Sequence, residues 1–534
     1  MARTFTFGTG SSLLVLALLA FGAINPASAQ IPQRSMDTQG ADPSTAPSHT
    51  EEIHELFEKK PLVMDPAAKP TAFDTKRFGP DPSYPENYNQ KEQLEIYGGK
   101  YAVPSQRPAI EFGYPQYSTG PIPEGLTLFG DKNLSRPQLM IFGDVRSAVA
   151  YNDGGKKGNA QVAVRANIDV DLALTSTERI HAFFRPLDRG GQFTRYEFAG
   201  PNKTDGHFLL NGNIQTLFFE GDIGSILGGI RNQYASFDMP IAFGKMPLFL
   251  QNGIWANSAM IGGAVTIPSK NSRLLDITNM DITFFGGRDD VSTPAIVQRG
   301  TNQFDLHAGR IAGVTGWADM GGGYLEWGYG RVEDGRQNGP GFGYNNFTLA
   351  WSKRYFGKVS NSLRVIWNTG QDPGTGNGRQ TADGFLLLME NSLISPLEQT
   401  LVPYANFFFG SDRPQALIRD AGAGGPLNNT GINFETDGLT GFPKLDDSGN
   451  NTYGGAIGVE YLFSLEQQIV VEAATVQTMK SRADRIAKGP QYALGIRYQR
   501  PLTKSLILRL DGIVAKRISD DDVAGARVEL RWKF

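Results

Sequence analysis

Charged side chains at alternate positions along apolar segments are the chemistry-bearing feature of this sequence. Arg146, Arg165, Arg179 and Arg185 come early in the patterned region, Arg497, Arg509, Arg527 and Arg531 at its end, and Asp281, Asp305 and Glu326 between them. On an extended chain such residues share one face. Ringed around a water-filled passage, they would sort solutes by charge. The plain alternative is that they pair with one another and only solvate a cavity. Support for reaction chemistry is thin. The five histidines are His49, His54, His181, His207 and His307, and no H-E-x-x-H, G-x-S-x-G or G-x-x-x-x-G-K-[ST] motif occurs. His181 and His307 are expected on inward-facing strand positions. With no cysteine in 534 residues, disulfides, thiolate metal sites and iron–sulfur clusters are excluded. The run Asp446-Asp447-Ser448-Gly449-Asn450 offers oxygen ligands without the spacing of a calcium loop. Neither a cofactor nor a metal is expected.

The elements that must hold these charges are strands. In Val162–Leu172 every even position is apolar, while Arg165, Asn167, Asp169 and Asp171 take odd ones. The last strand is the clearest: Val528, Leu530, Trp532 and Phe534 oppose Arg527, Glu529, Arg531 and Lys533. A soluble antiparallel sandwich gives the same alternation. Three features favour a membrane barrel. Many runs reach the nine or so residues that cross a bilayer when tilted. Aromatics such as Tyr151, Trp351, Trp367, Tyr453 and Trp532 sit near the ends of apolar faces. Brief turns such as Arg500-Pro501-Leu502-Thr503 alternate with long polar loops, the longest being Ser411–Asn451 at 41 residues. That loop is expected to fold into the lumen or to cap it, since unstructured connections so long are usually functional or disordered. Nineteen candidate segments emerge, including 222–230, 302–312 and 315–331. Single-chain bacterial barrels use even numbers, so the expected fold is all-β: an antiparallel transmembrane β-barrel of about 18 strands, with 16 as the alternative.

Three regions are expected. Residues 1–29 read as a signal peptide: Arg3, the apolar run Leu13–Phe21, and Ala27-Ser28-Ala29 before a cleavage point. Residues 30–136 form a Pro-rich N-terminal leader, with one helical island at 50–60 and a weak strand at 94–99; it either plugs the lumen or extends into the periplasm. Residues 137–534 form the barrel. The net charge of −3 gives no reason to expect a nucleic-acid partner.

An export signal combined with a terminal strand ending in Trp532 and Phe534 resembles the signature by which Gram-negative outer-membrane barrels are recognised for assembly. The patterned region looks like the porin and substrate-export class, which includes the alginate-export type. The resemblance implies location in the outer membrane, contact with its lipids and with the barrel-assembly machinery, a homo-oligomer as one possible state, and passage of a hydrophilic solute or polysaccharide. The expected function is a channel for passive diffusion or export of small hydrophilic solutes. The alternatives are a structural or adhesive barrel working through its extracellular loops, and an outer-membrane hydrolase. Closing the barrel would join the early and late arginines into one basic wall facing Asp281, Asp305 and Glu326, with a mild preference for anions.

Overall fold

The computed structural model describes residues 108–113 and 124–534, apart from 156–157, 202, 204–205, 299–302, 337–340, 374–379, 395–399, 436–437, 464–466 and 481–484. The expected signal peptide, helical island and strand at 94–99 lie outside the described residues.

Eighteen antiparallel strands form one closed wall. In chain order they are β1 (Gln138–Asp153), β2 (Asn159–Ala173), β3 (Arg179–Phe184, continued by Gln192–Ala199), β4 (Ile214–Asp222), β5 (Pro240–Leu250) and β6 (Ala256–Ser272). Next come β7 (Ile277–Arg288), β8 (Gly309–Met320), β9 (Gly323–Asp334), β10 (Tyr344–Tyr355), β11 (Val359–Thr369) and β12 (Phe385–Leu393). The circuit ends with β13 (Thr400–Ser411), β14 (Thr452–Leu462), β15 (Gln468–Thr478), β16 (Gln491–Pro501), β17 (Leu506–Arg517) and β18 (Val523–Lys533). Sequence neighbours pair throughout, and β18 returns to β1 with Asp144 opposite Lys533 and Asp153 opposite Ala524. Closure leaves no long unpaired edge, which a wall immersed in hydrocarbon requires. Below the point where β18 ends, the short leader strand Ile110–Gly113 pairs with Gln138–Ile141 and covers the remaining edge of β1.

The outward face is apolar and the inward face polar or small. On β1, Val149 and Tyr151 point out while Asp144, Ala148, Ala150 and Asn152 are buried inside. The same alternation exposes Leu494, Val514 and Trp532 on β16–β18. In water such a belt would be an aggregation hazard; in a bilayer it is the protein's solvent. Among the described residues no helix is long and apolar enough to cross a membrane; the lipid-facing apolar belt is carried by the strands. This is an outer-membrane barrel; in such barrels the short turns face the periplasm and the long loops the exterior.

Three sequence expectations are corrected by the local chemistry. Residues 222–230 are not a strand but most of helix α1 (Ile223–Arg231). Ile223, Leu227 and Ile230 recur at helical rather than strand spacing, and the Asp222 carboxylate accepts from Ser225 N–H at 2.7 Å as a cap. Removing that segment turns nineteen candidates into eighteen strands. The hairpin expected over 302–331 turns later, at Gly321-Gly322, where both residues have positive φ (56° and 71°) as a two-residue turn demands. Residues 303–308 consequently belong to the extracellular loop before β8, so Asp305 and His307 do not face the lumen from a strand.

Candidate functional site

Two chain segments enter the barrel from its extracellular end. The first is the tight turn 251–255 between β5 and β6, whose Trp255 is completely buried. Its indole Nε1 donates to Asn346 Oδ1 at 2.7 Å, and the Gln251 Oε1 accepts from Thr348 Oγ1 at 2.8 Å and from Arg364. Room for the indole comes from Gly328 on β9, where a Cβ would lie 2.5 Å from the ring.

The second is the long loop 412–451, which folds into the lumen. Ile418 and Arg419 pair in parallel with Ala256 and Asn257 of β6. Tyr344 OH donates to Leu417 O at 2.6 Å, and Asn346 and Asn368 side chains donate to Gln415 O at 2.8 and 3.0 Å. The buried Arg419 guanidinium donates to the carbonyls of Gly253, Ala423 and Gly424. Burial lowers the pKa of Arg419 to about 10, which still leaves it a cation at neutral pH. Further along, Ile432 and Asn433 N–H groups each donate at 2.9 Å to Glu472 of β15. Asn152 of β1 and Gln161 of β2 then donate to Thr440 O. The loop thus touches strands on several sides of the barrel. Each anchor satisfies backbone groups that would otherwise be buried without partners.

Apolar packing completes the filling of the outer lumen. One cluster gathers Trp255, Val291, Ile296, Tyr344, Leu417 and Ile418; another gathers Ile254, Ile366, Leu388, Leu427, Phe434 and Leu445. Asp446 and Asp447 serve this docking. Asp447 accepts from Gly425 N at 2.6 Å and pairs with Lys444, while Asp446 accepts from Ser448 N at 3.0 Å. Among the described residues no group of three or more His, Cys, Asp or Glu is arranged to hold a metal ion.

The charges concentrate where the barrel closes. Arg497 (β16), Asp511 (β17) and Arg527 (β18) stand side by side in register. Asp511 receives Arg497 at 2.8 Å, Arg509 at 2.9 Å and Arg527 at 2.8 Å. Glu435, carried in by the long loop, bridges Arg497 at 2.6 Å and Arg509 at 3.1 Å. Burial opposes ionisation of Glu435, yet the two guanidiniums outweigh it and hold its pKa below the ordinary value. Glu529 continues the lattice to Arg146 at 2.7 Å, and Asp144 pairs with Arg531. Five arginines and four carboxylates therefore gather along the seam, in three neighbouring sets of ion pairs. Arg527 is itself buried, with its guanidinium 5.1 Å from the Phe442 ring.

The other sequence candidates fall into separate groups. Arg165 sits 3.6 Å from Asp188, and Arg185 lies over the Phe183 ring at 5.2 Å. Arg179 and His181 share Asp171 and Glu220 at 3.1–3.5 Å near the periplasmic end. Glu326 is 3.4 Å from Arg364 across the lumen-facing side of β9–β11. Asp281 accepts from Ser269 N at 2.7 Å. Asp305 pairs with Arg336 at 3.4 Å within the extracellular loops, so of the three expected facing acids it does not stand on the wall. Sequence reasoning named neither Glu435 nor Arg419, Asp420 and Trp255. Their only local signal is a charged or aromatic residue inside a glycine- and asparagine-rich connection.

No protein-family profile matches the chain, and no curated protein sequence is similar to it. Among solved structures it superposes on OccK11 (OpdR) of Pseudomonas aeruginosa with a TM-score of 0.47 and 10% identity, over 74% of this chain and 96% of that one. A BenF-like porin from Pseudomonas fluorescens Pf-5 gives 0.48 and 9%, over 74% and 98%. OprD of Pseudomonas aeruginosa gives 0.46 and 7%, over 74% and 93%. Likeness at this level says nothing about what passes through the present chain.

Proposed function

We propose that the protein is an outer-membrane channel for small hydrophilic solutes, with a lumen bordered by loop 412–451 where it docks on the arginine-bearing wall of β16–β18 and β1. The observation that carries this reading is the position of Glu435. A loop carboxylate, partly exposed at 32% of its side chain, is set against the seam, where five arginines meet four carboxylates with Glu435 included. Paired charges in a low-dielectric frame orient polar solutes and exclude apolar ones. One excess cation gives a mild preference for anions.

The test is single-channel recording in planar bilayers. Discrete conductance steps support the channel, and replacing residues 415–449 by a short turn should enlarge them. The filling of the outer lumen by two apolar clusters favours a second reading, a structural or adhesive barrel acting through its loops. Folded, inserted protein that passes no ions, with or without the loop, would establish that reading instead.

A further inference from the structure

We infer that helix α1 and the chain segment strapped beneath it form a foot that lies in the phospholipid leaflet on the periplasmic side. The excursion 223–239 between β4 and β5 is far longer than the neighbouring periplasmic turns and leaves its large apolar side chains uncovered. Ile230 is 75% and Tyr234 80% exposed, and Leu128 on the strap is 71% exposed. In water these groups would form a costly patch.

The foot is built, not loose. The strap folds back on itself through reciprocal Leu126–Ser135 backbone bonds of 2.8 and 2.7 Å. It meets α1 backbone to backbone: a Cβ on Gly130 would lie 2.0 Å from Gly229 O, and one on Gly229 2.0 Å from Phe129 O. Asn133 donates to Glu178 at 2.8 Å and Asn232 to Asp131 at 3.2 Å, tying the strap to the β2–β3 turn and to the end of α1.

Two observations select lipid as the occupant. First, the apolar face continues the belt that already faces the bilayer. Phe237 leads into β5, whose outward Phe243 is 54% exposed, and Leu217 on adjacent β4 is 47% exposed. Second, its polar edge has interfacial chemistry. Lys132 Nζ stands 4.9 Å over the Tyr234 ring, and Arg231 ends the helix. An aromatic body flanked by cations that reach toward phosphates is how short elements settle at the headgroup boundary.

A cysteine-free chain makes the test direct. Ile230→Cys is labelled with an environment-sensitive fluorophore in vesicles of phosphatidylethanolamine and phosphatidylglycerol. Leu494→Cys on the belt and Lys488→Cys in an extracellular loop serve as references, and heat-modifiable migration verifies folding of each. Nitroxide-bearing phospholipid should quench the label at 230 several-fold more than at 488 and near the level at 494, while aqueous iodide should show the reverse order. Quenching by iodide as free as at 488 would overturn the proposal and leave the face open to a soluble partner. Protection from both quenchers would overturn it as well, because protein from the same or another copy would then cover the foot.

Discussion

Replacing Glu435 by Gln removes one charge from the contact between the loop and the arginine wall while keeping its shape. The site goes from three arginines on two carboxylates to three on one, since Arg497, Arg509 and Arg527 then share only Asp511. For an ion passing about 7 Å away, the lost charge changes the energy by about 0.6 kcal/mol in bulk-like water and about 2.4 kcal/mol at an effective dielectric constant near 20. Salt at physiological strength screens part of this, so about 1 kcal/mol is a fair working value. Anions gain that much and cations lose it, so two factors of roughly five multiply to a rise of about 25-fold in the anion-to-cation permeability ratio. The loop itself should stay in place, because Arg419, Tyr344, Asn346 and Glu472 hold it through bonds that do not involve Glu435. The assay is reversal potential in a salt gradient, with protease resistance of the loop measured in parallel. An unchanged permeability ratio with the loop still protected would show that ions do not pass this contact, and the proposed passage would be wrong.

Trp255→Ala should destabilise the lumen packing by about 3–5 kcal/mol, since it empties a completely buried site and strands Asn346 Oδ1; the midpoint of urea unfolding should fall, and the loop should become sensitive to protease before the wall does. Phe534→Asp should reduce assembled protein in the outer membrane, because Phe534 exchanges backbone bonds of 2.9 and 3.0 Å with Gly143 and packs its ring 5.2 Å from Trp532 at the seam; heat-modifiable migration and membrane fractionation read this out, and normal levels would refute it. Acid should weaken loop docking through Glu435. Its docked pKa lies below that of the free side chain, so its contribution is complete above the free value and is lost as pH falls through the lowered one. Asp420 works in the other direction: burial raises its pKa despite the 2.5 Å bond from Ser258, so its penalty is relieved as pH falls. The urea concentration at which the wild-type loop becomes protease-sensitive should hold from neutral pH down to the ordinary carboxylate range and fall below it, while Glu435→Gln, docked but weaker throughout, should flatten that fall.

Period-two alternation was enough to specify the wall. Each strand must turn its apolar side to lipid and its polar side inward, so Val162–Leu172 and Val523–Lys533 announce both their structure and their faces without any partner. An even strand number follows from closure, and the loop 412–451 is visible as a gap in the pattern. The pattern also put Arg146, Arg497, Arg509 and Arg527 on one side of the barrel, because closure makes the first and last strands neighbours. What they meet there was decided by the tertiary structure. Local sequence has no term for where a 40-residue connection returns in space, and Glu435 reaches Arg497 across 62 positions of chain. The same reason hid Trp255, whose turn reads as surface until Gly328, far along the chain, opens the space that takes its ring. Helix α1 and the late turn at Gly321-Gly322 were misread for a smaller reason: short apolar runs containing glycine fit either period, and capping by Asp222 and two positive φ angles decide between them only once the neighbouring strands are in place.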